Sequence, residues 1–213
     1  MAALIDMGAH LRSLALSPLA PWRLLPPWEL VAQAPAVTRK LLGALAQHDY
    51  VFNDEVAVHR TATIEPGAVL KGPLCVGPGC FVAAGAYLRG GVWLAAGCTV
   101  GPGVEIKSSF LWGASTLAHF NFVGDSVLGE NVNLEAGSIV CNHRNERADK
   151  EIRVRVATAL VGTGHAKFGA LIGDDCRIGA NAVLAPGTVL APGTVVGRTQ
   201  LIDPEQGVDS AAA

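Results

Sequence analysis

The chain has 213 residues, with 16 Lys and Arg against 18 Asp and Glu, a formal charge of −2 and 50% apolar residues. Near-balanced charge argues against a surface for nucleic acid or an anionic membrane. No uninterrupted apolar stretch reaches the ~18 residues of a membrane span.

The first 57 residues differ from the rest. They are proline-rich from Pro18 to Pro27 and then helix-like, with Val37, Leu41 and Leu45 on one face, Leu42 beside them and Pro35 suited to a first turn. The expectation is a Pro-rich and helical cap over the first coil of the repeats that begin at Val58, because an open repeat array exposes apolar surface and unpaired strand edges. Trp22 and Trp28 are read as packing anchors. Asp6, His10 and Arg12 interrupt the apolar residues at the start, so a secretory signal is not expected and the protein is placed in the cytoplasm.

From Val58 onward an aliphatic residue recurs every sixth position, at Val58, Ile64, Leu70, Val76, Val82, Leu88, Leu94, Val100 and Ile106. After two shortened hexads the period continues through Leu111, Leu117, Val123, Leu128, Leu134 and Val140, and it resumes from Ile172 to Val196. No helix has that period, whereas a short strand followed by a tight glycine-containing turn does. Such units stack into a parallel β-helix that buries its aliphatic residues between coils. Cys80, Cys98 and Cys176 fall at the fifth hexad place, where a small inward residue is wanted, and an odd total of five cysteines fits a reducing compartment. The expected organisation is a cap over 1–57, a β-helix over 58–197 with an inserted loop at 143–165, and a tail over 198–213. The loop carries the densest charge of the chain, HRNERADKEIRVR from His143 to Arg155. It reads either as a solvated excursion or as a segment whose base lines a site.

Polar residues gathered on one stretch of a β-helix are informative. With three hexads per turn, residues ~18 apart stack on successive coils, and Arg89 and Lys107 have that spacing. Together they would hold an anion, Arg by a bidentate fork and Lys as a point charge; two solvated cations are the plainer alternative. His119 is the natural candidate base, since a free imidazole titrates near ~6.5. Glu105, 14 residues earlier, is placed beside it to fix its tautomer.

The segment GVEIKSSFLWGASTLAHFNFVGDSVLGENVNLEAGSIVCN, from Gly103 to Asn142, resembles the acetyltransferase domain of the bifunctional glucosamine-1-phosphate N-acetyltransferase/N-acetylglucosamine-1-phosphate uridylyltransferase family. AKFGALIGDD, from Ala166 to Asp175, extends the likeness, which covers roughly residues 58 to 197. The resemblance implies a left-handed β-helix assembled as a homotrimer. It also implies transfer of acetyl from acetyl-CoA, as co-substrate, to the amine of glucosamine 1-phosphate or a similar sugar phosphate or sugar nucleotide, with no metal required. It makes His119 the base and Glu105 its support. Arg89, Lys107, Asn133 and Lys167 become substrate-binding, with Phe122 where that family has a tyrosine. Ala136, Asn142, His143 and Ala180 become cofactor-binding, with His143 in place of a second tyrosine and Ala180 in place of a serine. The loop after Asn142 is longer than in that family and the C-terminal arm is read as shortened. No Gly-rich phosphate loop occurs in the first 57 positions, so uridylyl transfer is not expected.

Two further readings stay open. One is a non-catalytic β-helix that binds a sugar phosphate or sugar nucleotide. The other is a zinc hydratase of the γ-carbonic-anhydrase type, which needs three converging histidines, for which His119, His143 and His165 are the nearest set.

Overall fold

The hexad aliphatics form a single column of core. In the computed structural model, which describes residues 5–206, Val76, Val82, Leu88, Leu94, Val100, Ile106 and their later counterparts are buried in one cluster. The two- to four-residue strands that carry them pair in parallel into three flat faces of seven strands each. The fold is a left-handed parallel β-helix. Face A runs from Val56–His59 to Thr188–Leu190, face B from Thr63–Ile64 to Val195–Val196, and face C from Val69–Leu70 to Leu201–Ile202. Arg89 and Lys107 are direct register partners on face C, so the one-coil spacing holds.

The N-terminal segment is not a lid over the first coil. Helices α1 (Pro27–Ala32) and α2 (Ala34–Gly43) and the 3-10 turns before them lie along the outside of face A. Met7, Leu11, Leu19, Trp28, Leu30 and Val37 pack there against Cys75, Trp93, Phe110, Val127 and Leu171. The reason is in the face A strands themselves. Leu74-Cys75-Val76, Val92-Trp93-Leu94 and Ala170-Leu171-Ile172 are apolar without alternation and are buried on both sides, the pattern of a parallel sheet covered on both faces. Gly91 permits the close approach: with φ at +91°, it faces Ala34 and Pro35 of α2 so closely that a Cβ would lie 2.5 Å from the Ala34 carbonyl carbon. The edge of the first coil is instead covered by Tyr50–Asn53, which pairs antiparallel with Val56–His59.

The boundaries also shift. The solenoid begins at Val56 and continues past residue 197, because Leu201–Ile202 pairs in parallel with Val183–Leu184 and places Ile202 one hexad beyond Val196. Asp203 and Glu205, expected in a tail, bind the inserted loop. That loop is not a purely solvated excursion. It folds an antiparallel hairpin, Arg153–Val156 with Ala159–Gly162, whose Ile152 and Val154 are buried against face A beside Phe168. Among the described residues no helix is long and apolar enough to cross a membrane.

Candidate active site

Face C carries chemistry at both of its edges. Where it turns into face A, Lys107 Nζ donates to both oxygens of Asp125, at 2.8 and 2.9 Å, and lies 3.3 Å from Ser108 Oγ. Asp125 is only 6% exposed and also accepts from Asn142 Nδ2. Lys167 comes to the same place. It lines a cleft of about 380 Å³ together with Lys107, Asp125, His165 and, from the N-terminal helices, Val31 and Pro35. His143 sits beside it, its Nδ1–H donating to the Ala166 carbonyl at 3.0 Å. Five of the expected residues (Arg89, Lys107, Asn142, His143, Lys167) thus gather toward one edge.

Arg89 and Glu105 are joined, which corrects the expectation for Glu105. The Arg89 Nε–H donates to Glu105 Oε1 at 2.9 Å, and a second guanidinium nitrogen lies at 2.8 Å from that oxygen. The carboxylate therefore does not hold the His119 ring. Two charge-assisted hydrogen bonds to a guanidinium are stronger than one to a neutral imidazole, and Arg89 is only one strand away. The Tyr87 ring stacks under the same guanidinium at 5.6 Å.

His119 stands at the opposite edge, on the turn from face B to face C. Its side chain is exposed and makes no hydrogen bond among the described residues, while its carbonyl accepts from Gly137 N–H at 2.9 Å. Ala136 and Ala180 occupy the same turn on the next two coils, linked by Asn181 N–H donating to the Ala136 carbonyl. Phe122 opens the adjoining strand, in register between Glu105 and Ile139, with its ring folded over Gly124. Asn133 is separate. It lies on the outside of face B, beside Thr116 and Arg177, across the corner from Arg89 and Lys107.

Sequence reasoning missed Asp125 and Glu135. Asp125 follows Lys107 by the same 18 residues that separate Lys107 from Arg89, so the one-coil rule contained it. Glu135 accepts from Ala180 N–H at 2.9 Å and pairs with Arg198 at 2.9 Å, which holds its carboxyl below the usual range, Arg198 first and the Ala180 N–H second. This salt bridge crosses the corner next to the expected cofactor residues. The three histidines proposed as metal ligands do not converge: His143 bonds Ala166, His165 Nε2 is 3.0 Å from Glu29 Oε1, and His119 is unpaired among the described residues.

No family model matches the chain. Among curated proteins it is 39% identical over 84 residues to a bifunctional sugar-1-phosphate nucleotidylyltransferase/acetyltransferase of Sulfurisphaera tokodaii, covering 39% of this chain and 20% of that protein. It is 30% identical over 99 residues to the bifunctional protein GlmU of Methanocaldococcus jannaschii, covering 46% and 24%. The matches thus span about a fifth to a quarter of these relatives' length. Among solved structures, the acetyltransferase domain of PglB from Neisseria gonorrhoeae aligns with a TM-score of 0.36 at 19% identity, covering 72% of this chain and 51% of that one. Through its hexapeptide-repeat β-helix, this chain is a relative of the bifunctional sugar-1-phosphate nucleotidylyltransferase/acetyltransferases.

Proposed function

We propose that the chain is a CoA-dependent N-acetyltransferase that moves an acetyl group from acetyl-CoA to the amine of an amino sugar phosphate, of the glucosamine 1-phosphate type, or of a sugar nucleotide. In this reading it works in the cytoplasm as a homotrimer. The observation that carries it is the exposed, unpaired His119 ring at the head of the row His119, Ala136, Ala180, with the register-paired cations Arg89 and Lys107 on the adjoining face. The likeness to proteins named as acetyltransferases supports it. The imidazole takes the proton of the attacking amine, the nitrogen bonds to the thioester carbon, and the tetrahedral adduct expels CoA thiolate, which is reprotonated. Holding the acceptor by its phosphate brings the amine into position and supplies part of the rate. The trimer is supported by where the chain leaves surface uncovered. Face A is clothed by the N-terminal segment, while faces B and C are bare and expose Val195, Val69 and Leu201.

The test is to incubate the purified protein with acetyl-CoA and glucosamine 1-phosphate, follow free thiol, and measure native mass on the same sample. Thiol release that depends on the amino sugar, from a species of three chain masses, is the expected result. Binding of the sugar phosphate without thiol release would instead select the non-catalytic β-helix, a reading that the absence of a carboxylate beside His119 favours.

The anion site makes its own prediction. Charged hydrogen bonds are worth roughly 1.5–3 kcal/mol each, so Arg89→Ala or Lys107→Ala should weaken glucosamine 1-phosphate binding by about tenfold to a hundredfold. Lys107→Ala should also lower the melting temperature, because it strips the cation from buried Asp125. Arg89→Ala should not, since Glu105 is partly exposed. Calorimetric titration with glucosamine as the phosphate-free control decides the role: equal losses for both ligands would mean that the cations support the fold and do not read phosphate.

A further inference from the structure

The turn from face B to face C contains one residue with positive φ on every coil. Six of the seven are residues that accept a left-handed backbone readily or are small: Gly67, Gly85, Gly103, Gly137, Asn181 and Thr199. The seventh is Phe120, at φ +53° and 70% exposed. A bulky side chain is disfavoured in that region, and such strain persists only where the surroundings over-determine it. Here they do. The next residue, Asn121, is 2% exposed, and its Nδ2 donates to the Glu135 carbonyl at 2.8 Å and to Ser138 Oγ at 2.9 Å, pinning the turn from inside the core. The cost brings no burial in return, because the ring remains in solvent. An aromatic residue held in a strained turn, exposed, and adjacent to the candidate base calls for a ligand.

We propose that Phe120 is an acceptor-binding residue, its ring stacking on the apolar C–H face of the amino sugar while the amine reaches His119; this rests on the acyl-transfer reading above. The placement favours the sugar over the other flat groups in the two substrates. The Phe120 ring lies against the backbone of Gly103, where a Cβ would come within 2.5 Å of the ring, and so leans toward the preceding coil, which carries Glu105 and Lys107. The row Ala136 and Ala180 extends the other way. The imidazole is thus flanked by the ring on the side of the cations and by the expected donor row on the other. A base must be within hydrogen-bond reach of the amine it deprotonates, and the amine is borne on the sugar ring itself. A side chain one residue from that base meets the pyranose, whereas a nucleobase is removed from it by the phosphates.

The experiment compares Phe120→Gly, Phe120→Tyr and wild type, titrating glucosamine 1-phosphate calorimetrically and assaying thiol release separately. Phe120→Gly relieves the backbone strain, so its melting temperature should equal or exceed the wild-type value, which separates binding from folding. Its Kd and KM for glucosamine 1-phosphate should rise about tenfold, the scale on which an aromatic contact contributes, with the KM for acetyl-CoA unchanged; Phe120→Tyr should restore both. Sugar binding that depends on Phe120 without any thiol release would uphold the stacking role and sink acyl transfer. Thiol release with sugar affinity indifferent to Phe120 would do the reverse. No sugar binding by the wild type, a loss confined to acetyl-CoA, or a changed native mass at unaltered affinity per site would each overturn the proposal, the last by making the ring a contact between copies.

Discussion

His119→Ala should reduce acyl transfer by a factor on the order of 10² or more, the range over which general bases contribute, and leave the melting temperature almost where it was. The two halves of this result have different origins. The stability half comes from the position: the imidazole is exposed, has no hydrogen-bond partner among the described residues, and the turn is held through the backbone carbonyl that accepts from Gly137, which alanine keeps. A surface substitution of that kind usually stays within about 0.5 kcal/mol. The activity half comes from the chemistry, because an ammonium is no nucleophile and the two carboxylates nearest this corner are already paired: Glu105 is taken by Arg89 and Glu135 by Arg198. Turnover is measured by thiol release at saturating acetyl-CoA and stability by thermal melting. Turnover within a fewfold of wild type would remove His119 from the reaction. Joint loss of turnover and stability would show that the residue acts through the fold.

Much of this geometry could be read from the chain because a hexad repeat converts sequence spacing into spatial register. Arg89 and Lys107 were legible as neighbours since 18 residues make one coil, and Asp125 lay one coil further on by the same arithmetic. Glu105 and His119 were not, since 14 residues match no whole coil and nothing in the spacing says which partner a carboxylate at a strand start will take. The side-on position of the N-terminal segment had a signal that the cap expectation passed over. Strands such as Val92-Trp93-Leu94 and Ala170-Leu171-Ile172 are apolar on their outer residue too, while Thr99-Val100 and Thr116-Leu117 on face B alternate. Only a face with a cover needs the first pattern. The inserted loop was harder. Its charge density marked it as solvated, yet Arg153-Val154-Arg155-Val156 alternates as a half-buried strand does. Phe120 was invisible to pattern reading, because its strain is a matter of φ.

The largest effect on stability should come from that loop. Arg144→Ala is expected to cost about 3 kcal/mol, the lower end for breaking a buried ion pair, which at roughly 2–4 °C per kcal/mol for a chain of this size lowers the melting temperature by about 6–12 °C. Arg144 is 8% exposed at its side chain and grips Asp203, itself 10% exposed, through both terminal nitrogens, with NH1 to Oδ2 at 3.0 Å. Glu205, 3.6 Å away, keeps Arg147 as an alternative partner, whereas Asp203 has no second guanidinium bonded to it among the described residues. That is why the estimate sits at the low end and why Asp203 carries the consequence. Burial pushes the Asp203 carboxyl up, but the hydrogen bonds from Arg144 and from the Glu205 N–H outweigh it, so in the folded protein it titrates below the ordinary aspartate value. A depressed folded pKa means that the pair stabilises fully above the unfolded value of about 3.9 and is lost as the pH falls below it. In the variant burial acts with less opposition, so the acid limb of the stability curve should move to higher pH as well as lie lower. The loop also ends at Lys167, which walls the cleft beside Lys107, so the KM for the sugar phosphate should rise with the loss of stability. Thermal melts between pH 3 and 7 read both shifts. A variant that melts with the wild type across that range would mean that the arginine cluster is ornament, and that the loop is seated by Ile152, Val154 and Phe168 alone.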